Sequence, residues 1–317
     1  MDLNTALLNI RKLGPKFAKE EIECIRENKE EAIPILLNYV QYAIDNVDKN
    51  LSIPYNDFEN SEDAIDPTYA IYLLAEFKVQ DAFKPFTDIL KLEADKVDFI
   101  LGYILTNDYG AIIASVSTEN DIPYIKSIIE DKNINEFHID AAIRALVTLC
   151  VEGIYKKADL FKYLGFLLDY YVDDFKYLTF VVDVCYEVYN KEYFDKILKY
   201  FDEGLIDESF IREDSFKKGI LENDEEKSFQ KLRDDPCGRF VVDTIESMRY
   251  WGYFDEEKDS DSSFSYDLKP SDVIINPKLD LVPDSESSAK AFTSNKPKSK
   301  NKPKKKNKPK KTKSWKK

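Results

Sequence analysis

The feature that most constrains this chain is an internal repeat. Laying residues 73–91 (LLAEFKVQDAFKPFTDILK) under residues 112–130 (IIASVSTENDIPYIKSIIE) places Ala75 on Ala114, Phe77 on Val116, Phe83 on Ile122, Phe86 on Ile125 and Ile89 on Ile128. The pattern that starts at Leu73 thus starts again at Ile112. Residues 185–201 (CYEVYNKEYFDKILKYF) echo it a third time, and residues 145–168 fit between the second and third copies with a short insertion. Each copy reads as helix, turn, helix. Two-helix units of about 40 residues are the period of HEAT-like arrays. One such pair cannot bury its own apolar side, whereas stacked pairs bury a continuous core and leave two extended surfaces. The expected fold is therefore all-α, an α-α superhelix (a HEAT-like helical-repeat solenoid), with a non-repetitive helical bundle as the alternative.

Local signals agree. Leu36, Val40, Ala43 and Val47 make one apolar stripe at helical spacing, as do Ile122, Ile125, Ile128 and Ile129, and Phe194, Ile197, Leu198 and Phe201. Asn120 and Asn190 are placed to cap the last two helices. Pro85 and Pro123 fall near helix starts, where a missing N–H is tolerated. Only 9 glycines occur in 317 residues, and no Asn-Gly or Asp-Gly dipeptide, the strongest hairpin signal, is present.

Charge divides the chain. Residues 295–317 (NKPKSKNKPKKKNKPKKTKSWKK) hold 13 lysines and no acid. Taking those 13 from the 46 basic residues leaves 33 against 60 acids, a net of −27 on residues 1–294. Such a body repels phosphate and is a poor nucleic-acid binder by itself. Residues 255–294 carry ten acids, four lysines and several Ser and Pro, a composition that reads as disordered. The expected organisation is a solenoid over 1–254, an acidic disordered linker over 255–294, and a lysine-rich disordered tail over 295–317.

The tail admits three readings. Its lysines, Lys304, Lys305 and Lys306 among them, can attract a nucleic acid or other polyanion, with Trp315 available to stack on a base. It can fold back on its own acidic body; about 40 flexible linker residues span roughly 35 Å. Or it is a solvated extension.

The cysteines, Cys24, Cys150, Cys185 and Cys237, form no C-x-x-C pair, and His138 is the one histidine. They read as small buried hydrophobes in a reducing compartment, and no zinc site or cofactor is expected. The N-terminus lacks a signal-peptide apolar region and no stretch reaches the roughly 18 apolar residues of a membrane span, so a cytoplasmic location is expected.

Three segments carry a family resemblance: GAIIASVSTENDIPYIKSIIEDKNINEFHIDAAIRALVTLCVEGIYKK, KILKYFDEGLIDESFI and TIESMRYWGYF, the last with Glu246, Trp251 and Phe254 in a Glu-x-x-x-x-Trp-x-x-Phe pattern. Their order and spacing resemble the bacterial domain of unknown function number 1186 over roughly residues 20–255. The resemblance implies a HEAT-like α-solenoid and no activity. Many relatives end in a zinc-binding SEC-C motif. No cysteine follows Cys237 here, so that role is not carried over.

Candidate site residues are few. Asp183 interrupts the apolar run TFVVDVCYEV, so its helix can bury it and raise its pKa toward acid–base use, unless a neighbouring helix binds it. Asp169 and Asp173, four apart, would share a helix face and could bind a cation, or form a solvated acidic face. Trp251, Tyr253 and Phe254 make an aromatic cluster that either seals the last helix pair or binds a partner. His138 reads as a surface or capping residue, and Asp140 with Arg144 as a helix-surface ion pair. No P-loop, G-x-G-x-x-G or H-E-x-x-H occurs. The expected function is a non-enzymatic scaffold with a protein or peptide on its groove. A tail-driven nucleic-acid binder and an enzyme with acidic groove residues are the alternatives.

Overall fold

The computed structural model describes residues 1–54, 61, 64–249, 251, 252 and 254. The expected linker and tail, and with them Lys304, Lys305, Lys306 and Trp315, lie outside the described residues, as does Tyr253. Among the described residues there are 17 α-helices and no strand. In chain order they are α1 (Leu3–Asn9), α2 (Lys19–Glu27), α3 (Lys29–Asp45), α4 (Val47–Leu51), α5 (Thr68–Glu76), α6 (Phe83–Ile89), α7 (Ala94–Leu101), α8 (Ile104–Asn107) and α9 (Tyr109–Ser115). Then follow α10 (Ile122–Ile129), α11 (Glu136–Val151), α12 (Lys157–Tyr170), α13 (Phe175–Glu187), α14 (Phe194–Asp202), α15 (Glu213–Glu222), α16 (Glu225–Asp234) and α17 (Thr244–Met248). No helix is long and apolar enough to cross a membrane, among the described residues.

The sequence repeat recurs in the helices. Single 3-10 turns, Gln80–Ala82, Glu119–Asp121 and Lys191–Tyr193, lead directly into α6, α10 and α14, at the same offsets as the apolar pattern. Helices pack in chain order: α3 on α5, α5 on α9, α9 on α11, α11 on α13 and α13 on α15. The second helix of each pair lies against this row, α6 on α9, α10 on α11, and α12 on α11 and α13.

Buried tyrosines tie one pair to the next. Four carbonyls at a helix C-terminus have no partner within the helix and need one when covered. The Tyr109 hydroxyl donates to Phe86 O at 2.8 Å, Tyr170 to Glu130 O at 2.8 Å, Tyr171 to Ile129 O, and Tyr200 to Leu168 O at 3.3 Å. His138 does the same for α6, with Nδ1 2.9 Å from Leu90 O. A carbonyl only accepts, so Nδ1 carries the proton. His138 is thus a buried inter-helix donor and not the surface or capping residue expected from its place near a helix start; burial holds its pKa below the usual histidine value.

Two local expectations are corrected. The N-cap before α10 is Thr118, which forms a capping box with Asp121, while Asn120 lies inside the 3-10 turn. Asn190 sits at the cap position before Lys191–Tyr193, but its side chain makes no capping bond. The stripe from Leu36 to Val47 is buried as expected, although the helix breaks at Asn46 and Val47 opens α4.

Candidate functional site

Helices α5 and α9 are short and apolar on every side, and Thr68–Ala75 and Tyr109–Ser115 are buried throughout. A helix apolar all round must be covered all round. Their pair partners cover one side. The other is covered by the chain's own segment from Cys237 to Phe254, which runs over them against chain order.

The segment is fastened by side chains that accept from one of its thiols and from its backbone. Cys237 Sγ donates to Asp108 Oδ1 at 2.8 Å, at the start of α9. Phe240 N donates to Glu152 Oε1 at 3.0 Å, just past α11, and Val241 N to Ser115 Oγ at 2.8 Å, at the end of α9. Thr244 N donates to Glu76 Oε2 at 2.7 Å, at the end of α5. Arg26 of α2 then closes a three-way latch. Its Nε and Nη2 meet the two Glu76 oxygens at 2.7 and 2.8 Å, and Nη2 also meets Asp243 Oδ1 at 2.6 Å. Such forked, charge-assisted bonds are stronger than neutral ones and fix geometry. Asp243 in turn caps α17 through Ile245 N and Glu246 N.

After α17 the chain turns back along α5. Trp251 packs edge-on against Tyr72 at 5.6 Å and stacks with Phe254 at 6.2 Å, and Phe254 meets Phe17 at 5.0 Å. Trp251 Nε1 donates to Ser247 O at 3.1 Å. These two aromatics therefore close the edge of the core.

Asp183 belongs to a second polar centre, between α11 and α13. Arg144 reaches three carboxylates: Asp140 Oδ2 at 2.8 Å through Nε, Glu187 Oε2 at 2.8 Å through Nη1, and Asp183 Oδ2 at 3.0 Å through Nη2. The Asp140–Arg144 pair read from the sequence exists, but Asp140 is buried, so it is the root of an interior network and not a surface pair. One guanidinium cannot offset three shielded carboxylates. Burial, reinforced by Glu187 and only partly opposed by Arg144, pushes Asp183 up to about 7, and burial raises Asp140 and Glu187 as well. A glycine makes room for the hub: a Cβ on Gly110 of α9 would lie 2.6 Å from Arg144 Cβ.

Asp169 and Asp173 do not share a helix face, because α12 ends at Tyr170 and Asp173 falls in the turn beyond. Asp169 pairs with Lys196 Nζ at 2.6 Å. Among the described residues, no group of three or more His, Cys, Asp and Glu is arranged to hold a metal ion.

The sequence profile described as "Protein of unknown function (DUF1186)" matches residues 1–255. The chain belongs to the DUF1186 family. Two relatives, an uncharacterized protein of Chlamydia muridarum (strain MoPn / Nigg) and one of Chlamydia trachomatis serovar D, are each 30% identical to this DUF1186 chain. The first similarity covers 74% of this chain and 90% of the relative, and the second 74% and 89%. No solved structure matches. The DUF1186 match, residues 1–255, includes the described covering residues between Cys237 and Phe254, so they are part of the family unit.

The residues that fasten it, Arg26, Glu76, Ser115, Glu152 and Asp243, were not singled out from the sequence. Their available signal was position: Glu76 and Ser115 are the single polar residues that close the apolar stretches AIYLLAE and GAIIAS.

Proposed function

We propose that the protein is a non-catalytic scaffold whose α5–α9–α11 face holds an extended peptide. The observation that carries this reading is the way residues 240–244 are held. Three main-chain N–H groups are received by Glu152, Ser115 and Glu76, a grip on an extended backbone that supplies affinity and leaves specificity to the side chains between them. The chain's own segment fills the position, and a partner peptide would take it when the Arg26 latch opens. The lysine-rich stretch at 295–317 adds, in this reading, salt-sensitive attraction to an anionic partner.

Asp183, with a pKa near neutrality, is the residue an enzyme reading would use. Its hydrogen-bond partner is Arg144 of the adjacent helix, which favours a packing role.

The test uses the full chain carrying Arg26→Gln, which weakens the latch, and a synthetic peptide of residues 237–249. Titration calorimetry should find saturable binding at least several-fold tighter than to the unaltered chain, and not shared by a scrambled peptide. Equal, absent or sequence-independent binding in both chains would contradict the scaffold reading.

A further inference from the structure

The covering segment fits its face unevenly from one residue to the next. Phe240 is buried, and Lys78 Nζ lies 4.7 Å from the centre of its ring. Lys78 is the left-handed residue after α5 (φ 55°), a conformation uncommon for a side chain of its type, and it sets its ammonium over that ring. Val241 is 4% exposed, so its position takes a branched apolar side chain. Val242 is 62% exposed and its position is open to any residue. Asp243 Oδ1 accepts from Arg26 Nη2 at 2.6 Å.

The next position fits badly. Thr244 is fully buried and its amide is held by Glu76 Oε2, yet its Oγ1 has no hydrogen-bond partner. A hydroxyl that leaves water without gaining a partner weakens the contact that buries it. The face therefore accepts the shape of threonine and opposes its oxygen. Valine has that shape and no oxygen.

Resting on the scaffold reading above, we propose that the partner this face selects is a peptide with an aromatic residue, a branched apolar residue, any residue, Asp and Val in that order. The aromatic position is set by the Lys78 ammonium, which favours a ring face. The Asp position is set by Arg26, whose guanidinium is already oriented by its two bonds to Glu76. An acid is thus called for at one place on a body that is otherwise strongly acidic, because the cation there is fixed. The chain's own segment meets every requirement but the last. It covers the face when nothing else is bound, and a peptide that meets them all displaces it.

The test uses the full chain with Asp243→Asn, which takes the carboxylate from Arg26, keeps a residue able to cap α17 and leaves the receiving side chains unaltered. Titration calorimetry compares peptides of residues 237–249: the unaltered one, Phe240→Ala, Val242→Ala, Asp243→Asn and Thr244→Val. Against the unaltered peptide, Phe240→Ala and Asp243→Asn should each bind about tenfold more weakly, Val242→Ala within about twofold, and Thr244→Val about tenfold more tightly. On a full chain with Arg26→Gln the Asp243→Asn difference should vanish while the Phe240→Ala and Thr244→Val differences persist, with circular dichroism confirming the helix content of both chains. If the unaltered peptide binds neither chain, the scaffold reading fails and the proposal with it. If it binds, but Phe240→Ala and Asp243→Asn bind as well or Thr244→Val binds no more tightly, the scaffold reading stands and the proposal is overturned. A dimer of the Asp243→Asn chain that the Thr244→Val peptide does not dissociate would make a second copy the occupant and overturns it too.

Discussion

Arg144 and Asp183 are 39 residues apart, one repeat, which is why their side chains meet across adjacent helices. Three shielded carboxylates around one arginine make the centre pH-dependent. Asp183 has a higher pKa in the folded chain than its ordinary 3.8, so between about pH 4 and 7 the folded state holds a proton that the unfolded state has released. Stability therefore falls as pH rises through that window, by up to about 1.4 kcal/mol per pH unit. Asp183→Asn should flatten the slope, so that denaturant melts at pH 4 and 7 differ less than for the unaltered chain. Arg144→Leu should cost about 3–5 kcal/mol at pH 8, because it strands buried charge, and less at pH 5, where the carboxylates take up protons. An equal cost at both values would mean that these groups do not titrate in the fold. The sequence pointed to Asp183 by its break in an apolar run, and to a neighbouring helix as its partner. It did not reveal how many acids would share one cation, because Asp140 and Glu187 look like ordinary helix carboxylates until α11 and α13 are set side by side.

At the scale of elements, the helix pairs share their endings as well as their stripes. After α5, α11 and α13 the chain takes a left-handed residue, Lys78 (φ 55°), Gly153 (φ 78°) and Tyr189 (φ 55°). Each is followed by a backbone bond five positions back: Val79 N to Leu74 O, Ile154 N to Leu149 O and Asn190 N to Cys185 O. This ending satisfies orphan helix carbonyls and turns the chain toward the second helix of the pair. At Gly153 a Cβ would meet nothing within 4 Å, so Gly153→Ala isolates the conformational cost. Chemical denaturation should show a loss of about 1–2 kcal/mol with unchanged helix content. Much of this level was legible: the offsets found in the apolar pattern are also those of the 3-10 turns before α6, α10 and α14. The endings were harder to read, because Lys78 and Tyr189 adopt a conformation that their residue types do not favour and that packing imposes.

For the molecule as a whole, the decisive fact is which surface is free. The repeat implied two extended faces. Over α5, α9 and α11 one of them is covered by Cys237–Phe254, a stretch expected to be part of the solenoid over 1–254; RFVVD has neither a helical period nor a turn signal to set it apart. Its character depends on Glu152, Ser115 and Glu76, partners distant in sequence, and no local pattern encodes those. The all-apolar circumference of α5 and α9 was the one hint that a further layer was required.

Residue-resolved amide hydrogen exchange on the full-length protein tests this arrangement most directly. The amides of Phe240, Val241 and Thr244 lie outside regular backbone pairing, yet each donates to a side chain in a bond that is itself buried or half-buried. Exchange at all three should be slowed by roughly a hundredfold or more relative to an unstructured chain, and Ser115→Ala should release Val241 first. If these three amides exchange at unstructured rates while those of α9 and α11 stay protected, the segment does not lie on the repeat face and the account fails.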